Sequence, residues 1–223
     1  MKGGILIAID GPAGSGKSSV ARAVADRLGL INLNTGAAYR AVAYLALRED
    51  AHLDAAEELA GLAARIGLTE DGATVDGRPL DESALRTPDV AAAASKVSVH
   101  PEVRQVLLTV QREAADTARD KAGAVIEGRD IGTVILPDAD LKIFLSAAPE
   151  ERARRRAVQS GLESELDRIR EAMSRRDQQD SEREASPLKS ARDAVVIDTT
   201  GLSLDSVVSR VTELASAVQR ASG

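Results

Sequence analysis

Cysteine and tryptophan are absent from this 223-residue sequence, phenylalanine occurs once, and tyrosine and histidine occur twice each. Without cysteine there can be no disulfide, thiolate metal site or cysteine nucleophile, which is compatible with a reducing compartment. So few rings leave little for base stacking, and the core must be built from Ala, Val, Leu and Ile. Tyr39 and Tyr44 gain interest for that reason. No apolar run approaches the roughly 20 residues of a membrane-spanning helix. The stretch Ile5–Ile9, closed by Asp10, is too short for a secretory-signal core. A cytoplasmic protein whose N-terminus begins the fold is therefore expected, with no membrane partner. A basic surplus is also missing: 29 Lys and Arg against 35 Asp and Glu give a net charge of −6. General nucleic-acid binding normally rests on a cationic face, so no nucleic-acid partner is expected.

What is present begins with Gly11-Pro12-Ala13-Gly14-Ser15-Gly16-Lys17-Ser18, which fits the phosphate-loop pattern G-x-x-x-x-G-K-[ST]. The motif has its required context. Ile5–Ile9 reads as a buried strand, and Val20, Ala21, Val24 and Leu28 fall on one face of a helix over 17–28. The glycines let backbone N–H groups turn inward around phosphate oxygens, and the helix N-terminus adds partial positive charge. Residues Gly11 to Ser19 form the candidate nucleotide-binding stretch, with Lys17 reaching the β- and γ-phosphates and Ser18 ligating magnesium. The expected ligand is a nucleoside triphosphate, but this loop serves many functions.

Five short apolar runs, Ile5–Ile9, Leu30–Leu33, Ala124–Ile126, Leu141–Leu145 and Ala194–Ile197, alternate with helical sequence, the pattern of an α/β fold with a parallel sheet. Helices are expected over 17–28, 35–48, 55–65, 88–99, 101–119, 149–159, 164–176 and 203–220, with Thr87 and Ser203 as N-caps and Pro88 at the first helical position. Asp76-Gly77 signals a hairpin within a small β insertion. About ninety residues separate the second and third core strands, far beyond the ~10–12 that a crossover needs. They are expected to form a substrate lobe.

Two segments follow strands at the sheet edge where open α/β folds bind ligands. One is Asn34-Thr35-Gly36-Ala37-Ala38-Tyr39-Arg40, with Thr35 expected to cap the next helix; the other is Glu127-Gly128-Arg129-Asp130-Ile131-Gly132-Thr133. Adjacent Arg129 and Asp130 suit an anionic ligand with hydrogen-bonding groups, or form an ordinary surface ion pair. Arg152, Arg155 and Arg156 share a helical face, with Arg154 beside them, and Arg175, Arg176, Asp177, Asp180 and Arg183 make a second run. Alone, both runs read as solvated helix faces. Beside a phosphate loop they become candidates for clamping a transferred phosphoryl group and excluding water.

Taken together, these segments, with Ser186-Pro187-Leu188, resemble the bacterial cytidylate kinases of the nucleoside monophosphate kinase family nearly end to end. Leu85-Arg86-Thr87, Ala94-Ser95, His100-Pro101 with Arg104, and Ile197–Ser203 are also similar to that family. The resemblance implies a P-loop kinase with a five-stranded parallel sheet flanked by helices, an inserted acceptor-binding lobe and a short helical lid. Within one domain over 1–223, the core would be 1–34, 120–150 and 165–223, the lobe 35–119 and the lid 151–164. It implies transfer of the γ-phosphate of ATP to CMP or dCMP, with magnesium, by a monomer. By position, Ser95, Arg104 and Asp130 resemble the cytosine-reading groups, and Arg40, Arg129 and Arg183 the acceptor-phosphate clamps. Arg176 and Asp180 resemble the sugar-binding pair, and Thr35 and Tyr39 fall on the acceptor segment. Lys17, Arg129, Arg155 and Arg183 would stabilise charge on the transferred group, with no catalytic histidine.

The chain departs from the family pattern at Asn34, usually Asp, at Ala38, usually larger, and at Gln178-Gln179, where another Arg is common. A P-loop kinase for UMP, AMP or a shikimate-like acceptor is the nearest alternative. A nucleotide-binding regulator is disfavoured because no Asn-Lys-x-Asp guanine-reading segment is present.

Overall fold

The apolar run ahead of the glycine loop forms β1 (Leu6–Asp10), buried along its whole length in a computed structural model that describes residues 3–183 and 186–222. Burial on both faces explains why this strand is continuously apolar instead of alternating. It pairs in parallel with β6 (Ala124–Gly128) on one side and β7 (Leu141–Ser146) on the other, placing Ile7 opposite Val125 and Leu141. With β2 (Ile31–Asn34) and β8 (Val195–Asp198), they make a five-stranded sheet in the order β2-β6-β1-β7-β8. The α/β expectation is borne out, with each of the five strands within one or two residues of its apolar run.

The chain divides into two units, residues 1–32 with 122–223, and residues 33–121. In the first, α1 (Lys17–Leu28) and α9 (Leu204–Ser222) bury Val20, Ala21, Val24, Val207 and Val211 with Ile7, Ile9, Val125 and Ile143 of the sheet. Gly11, Arg129 and Thr199 directly follow the C-terminal ends of β1, β6 and β8 or lie one step beyond. Helix α7 (Pro149–Ser160) ends at Gly161, whose φ of 64° is a left-handed cap. A 3₁₀ turn (Glu163–Glu165) then leads into α8 (Leu166–Glu182).

The second unit holds α2 (Thr35–Arg48), α3 (Ala56–Ala63), the antiparallel β3 (Ile66–Thr69), β4 (Gly72–Val75) and β5 (Arg78–Pro79), α4 (Glu82–Leu85), α5 (Pro88–Val97) and α6 (Pro101–Lys121). Ala37, Ala38 and Ala41 of α2 are buried in one core with Ala93, Ala94 and Val97 of α5. Such small side chains let two helices approach closely, which is how a core with few aromatics reaches normal packing density. The Asp76-Gly77 turn has positive φ at both residues, 49° and 75°, as a two-residue primed hairpin turn requires. Thr87 Oγ1 accepts from the Val90 amide at 3.4 Å and Ser203 Oγ from the Ser206 amide at 3.2 Å, so both expected caps are present.

Two expectations need correction. Asn34, not Thr35, occupies the N-cap position of α2; Thr35 is already helical, and Asn34 makes no side-chain cap bond. The helix expected to stop at Arg176 continues to Glu182. Its last turns lack an apolar stripe and are held by ion pairs instead.

Candidate active site

The phosphate loop owes its path to backbone clearance. At Gly11, φ is 150° and an added Cβ would lie 2.1 Å from the Leu145 carbonyl oxygen; at Gly14, φ is 72° and a Cβ would lie 2.7 Å from that of Arg152. Only glycine fits either position. Gly16 caps α1 through its left-handed backbone, without a side-chain bond, so the first amides of α1 remain available to an anion.

Three successive loop carbonyls each hold a cation. Arg129 Nη1 donates to Gly11 O at 2.8 Å, Lys17 Nζ to Pro12 O at 2.7 Å, and Arg152 Nη1 to Ala13 O at 3.1 Å. Burial in this crowded loop pulls the Lys17 ammonium down to about 7, with the positive charge of Arg129 acting in the same direction. Ser18 Oγ donates to Glu127 Oε2 at 2.8 Å, at the end of β6. Beneath them, Asp10 accepts from the amides of Ile131 and Gly132, both at 2.8 Å, and pins a short π-helical turn, Ile131–Ile135.

Desolvation pushes the Asp10 carboxyl up to about 6, against the two amide bonds that favour its charge. Between about pH 4 and pH 6 the folded chain therefore keeps a proton that the unfolded chain has released. The stability from this group declines as pH rises through that window. Relative to Asp10→Asn, the wild-type unfolding free energy is expected to fall by about 2–3 kcal/mol from pH 4 to pH 7, read from urea denaturation. A difference that stays flat with pH contradicts this account of Asp10.

The α7 arginines, similar in the sequence, have different settings. Arg152 is buried, donates to Ala147 O at 3.1 Å and pairs with Asp177 of α8, whose other oxygen accepts from the Ala13 amide at 3.4 Å. The Arg152–Asp177 pair thus grips Ala13 by both its carbonyl and its amide. Arg155 is held by Glu151 at 2.8 Å and by Thr199. Arg154 is exposed on Glu151, and Arg156 is exposed with a bond to Gln159 at 3.2 Å. On α8, buried Asp180 receives Arg129 Nε at 2.7 Å and Arg183 Nη1 at 3.5 Å. Because the helix continues past Arg176, residues 176 and 180 fall on one face, and Arg183, just past its end, reaches back to Asp180.

In the second unit, α2 presents Tyr39 and Arg40 one turn from its start. Arg104 of α6 is buried, lies 5.5 Å over the Tyr39 ring and donates to Ser98 O at 3.3 Å. Ser98 Oγ in turn donates to the Ser95 carbonyl at 3.0 Å. A Cβ at Gly36 would lie 3.2 Å from both Asn34 Oδ1 and Arg40 Nη1, so the glycine leaves room for those two groups. The structure thus brings Tyr39 to Arg104, and Arg129 to Asp180 and Arg183. Ser95 and Arg104 belong to one unit and Asp130 to the other.

Glu127, Asp177 and Thr199 are contributors to which the sequence gave no individual role, although each lies in a segment singled out there. Asp177 was visible as a member of the second charged run, but nothing local shows that its partner is Arg152. The bonds of Glu127 and Thr199 cross 109 and 184 residues of chain, respectively, and leave no local signal.

A glycine loop between a parallel strand and a helix, followed by lysine and serine and ringed by arginines, defines a phosphate-loop protein built to hold a nucleotide's phosphates. A solved structure of an uncharacterized protein from Eubacterium ventriosum shares the fold, with a TM-score of 0.56 at 15% identity over 96% of this chain and 98% of that one. The family model for cytidylate kinase matches residues 7–217. Cytidylate kinase from Desulfitobacterium hafniense is 45% identical over 222 residues, 96% of this chain and 94% of that protein. Cytidylate kinase from Streptomyces griseus is 46% identical over 216 residues, 94% of this chain and 92% of that protein. The chain belongs to the cytidylate kinase family.

Proposed function

We propose that this protein transfers the γ-phosphate of ATP to CMP or dCMP, giving the corresponding diphosphate. Family membership supports the reaction, and one observation carries the reading of the site. Arg129 donates a hydrogen bond to the phosphate loop at Gly11 with one nitrogen and forms an ion pair with Asp180 through another, so one guanidinium joins the donor loop to the Asp180–Arg183 group. In this reading Lys17 and the loop amides hold the donor phosphates, while Arg40, Arg129 and Arg183 hold the acceptor phosphate. That phosphate is already anionic, so positioning and charge stabilisation suffice without a strong general base.

Ser18 Oγ and the Glu127 carboxylate offer hard oxygen donors 2.8 Å apart, which fits magnesium, an ion usually held by one or two protein oxygens together with nucleotide phosphates. Bound there, magnesium supplies neutralisation of charge on the β- and γ-phosphates. Cytosine recognition is assigned to Ser95, Arg104 and Asp130, the sugar to Arg176 and Asp180, and acceptor binding to unit 33–121. The lid over 151–164 includes most of α7. No helix among the described residues is long and apolar enough to cross a membrane. A cytoplasmic monomer is proposed from the family resemblance alone.

The test is diphosphate formation with ATP and magnesium from CMP, dCMP, UMP, AMP and GMP, for wild type and Asp130→Ala. Turnover is expected to be fast with CMP and dCMP and slow or absent with the purines, and the variant is expected to lose mainly its preference for CMP over UMP. Equal losses on both pyrimidines would remove Asp130 from base recognition, and turnover of none of the five would remove the acceptor assignment.

A further inference from the structure

Thr199 follows β8, is 2% exposed, and makes more connections around the phosphate loop than any local sequence feature predicts. Its amide donates to Ser146 O at 2.8 Å, fixing it to the end of β7. Its carbonyl accepts from Arg155 Nη2 at 2.7 Å, and its hydroxyl accepts from Arg155 Nη1 at 2.9 Å. The single hydroxyl proton lies within reach of two carbonyls, Ser15 O at 3.2 Å and Ser146 O at 3.0 Å. With Arg155 Nε on Glu151 at 2.8 Å, all three guanidinium nitrogens are engaged, two of them by this one threonine.

The result is a defined place for the Arg155 cation. A Cβ at Gly16 would lie 3.8 Å from Arg155 Nη1, so the guanidinium sits at the N-cap of α1, beside the backbone amides that favour an anion. A long arginine side chain loses considerable rotamer freedom to stay in one geometry. The planar fork is suited to two parallel acceptors, which the hydroxyl and carbonyl of Thr199 supply.

We propose that Thr199 is a positioning residue: it holds Arg155 in register with the phosphate loop, through Ser15, so that the guanidinium meets the phosphoryl oxygens of the donor. This rests on the phosphoryl-transfer reading above. Thr199 itself touches no reacting atom; it acts through Arg155. The hydroxyl is the required group, because it alone joins Arg155 to the loop carbonyl.

The experiment compares wild type, Thr199→Val, Thr199→Ser, Arg155→Ala and the double variant Thr199→Val/Arg155→Ala. Steady-state kinetics with CMP and the affinity for a fluorescent ATP analogue with magnesium are measured, alongside melting temperature. Thr199→Val is expected to lower kcat about 10-fold, the scale of a lost hydrogen bond to a charged group, with KM for CMP within about twofold of wild type. Thr199→Ser is expected to recover most of kcat. In the Arg155→Ala background, Thr199→Val is expected to add less than about twofold, because its effect passes through the missing guanidinium. Wild-type kcat in Thr199→Val, losses that multiply in the double variant, or a Thr199→Ser that is folded yet as slow as Thr199→Val would each overturn the proposal. Should Thr199→Val fail to fold, Thr199→Ala, which also lacks the hydroxyl, takes its place in every comparison. If wild type forms no CDP, the acceptor reading has failed, and the ATP-analogue arm decides alone. There, weakening by Thr199→Val that disappears in the Arg155→Ala background supports the positioning role, and weakening that persists overturns it.

Discussion

Lys17→Ala is expected to lower kcat for CDP formation by about 10²–10³-fold, the range seen when one preorganised donor is removed from a site of developing charge. Lys17 follows Gly16 at the first position of α1, and its ammonium folds back over the loop to Pro12 O at 2.7 Å. It is therefore already among the amides that would hold the phosphates. Loss of stability is not expected. Burial and Arg129 pull this ammonium down to about 7, so the cost of the charged lysine to the folded state grows as pH falls from 10.5 to about 7 and is fully present below that. Removing the group relieves that disadvantage. A melting temperature equal to or above wild type, together with a collapse in kcat, is the expected pair of results. Wild-type kcat would remove Lys17 from the chemistry, and a sharp fall in melting temperature would make its role structural.

Arg129→Ala is expected to damage both activity and folding. Its guanidinium divides between Gly11 O at 2.8 Å and Asp180 Oδ2 at 2.7 Å. The Asp180 side chain is 7% exposed, and without Arg129 its remaining ion-pair partner among the described residues is Arg183 at 3.5 Å. Breaking a buried pair from one side typically costs about 3–5 kcal/mol, because the surviving charge stays desolvated. A loss of about 3 kcal/mol in urea unfolding is expected, with kcat down by at least about 10²-fold. Arg129→Lys is expected to rescue little of either, since one ammonium cannot serve two acceptors lying in different directions from a planar fork. Near-wild-type unfolding of Arg129→Ala would contradict the pairing, and near-wild-type kcat would contradict the link between donor loop and acceptor clamp.

Where short-range rules governed the structure, the sequence was readable. The bounds of α1 agree because glycines in left-handed conformation stand at both of its ends, and the Asp76-Gly77 turn folds as its two residues require. The last part of α8 was not readable in the same way. Asp177-Gln178-Gln179-Asp180 has no apolar face to bury, and the helix persists because Asp177 meets Arg152 and Asp180 meets Arg129. Nor did the π-helical turn after Asp130 leave a local trace, since it is fixed by Asp10, which lies 121 residues earlier than Ile131.

The candidate site divides along the same line. Glycines, lysine and serine of the phosphate loop carry their own context, so the loop was found at once. The α7 arginines looked alike, because a run of four basic residues does not show which will meet a distant carbonyl. Burial separates Arg152 and half-buried Arg155 from exposed Arg154 and Arg156. Thr199 stood only as part of the family-like segment Ile197–Ser203, with nothing to single it out; its importance lies in partners contributed by β7, α7 and the phosphate loop.

The most direct measurement is the fate of the terminal phosphate of ATP labelled at the γ-position, followed in the presence of CMP and magnesium. The account predicts that nearly all of the released label appears as the β-phosphate of CDP, at a rate that depends on CMP concentration and drops in Lys17→Ala and Arg129→Ala. Label appearing as inorganic phosphate at a rate indifferent to CMP would contradict it, since that outcome describes a hydrolase without a phosphate acceptor.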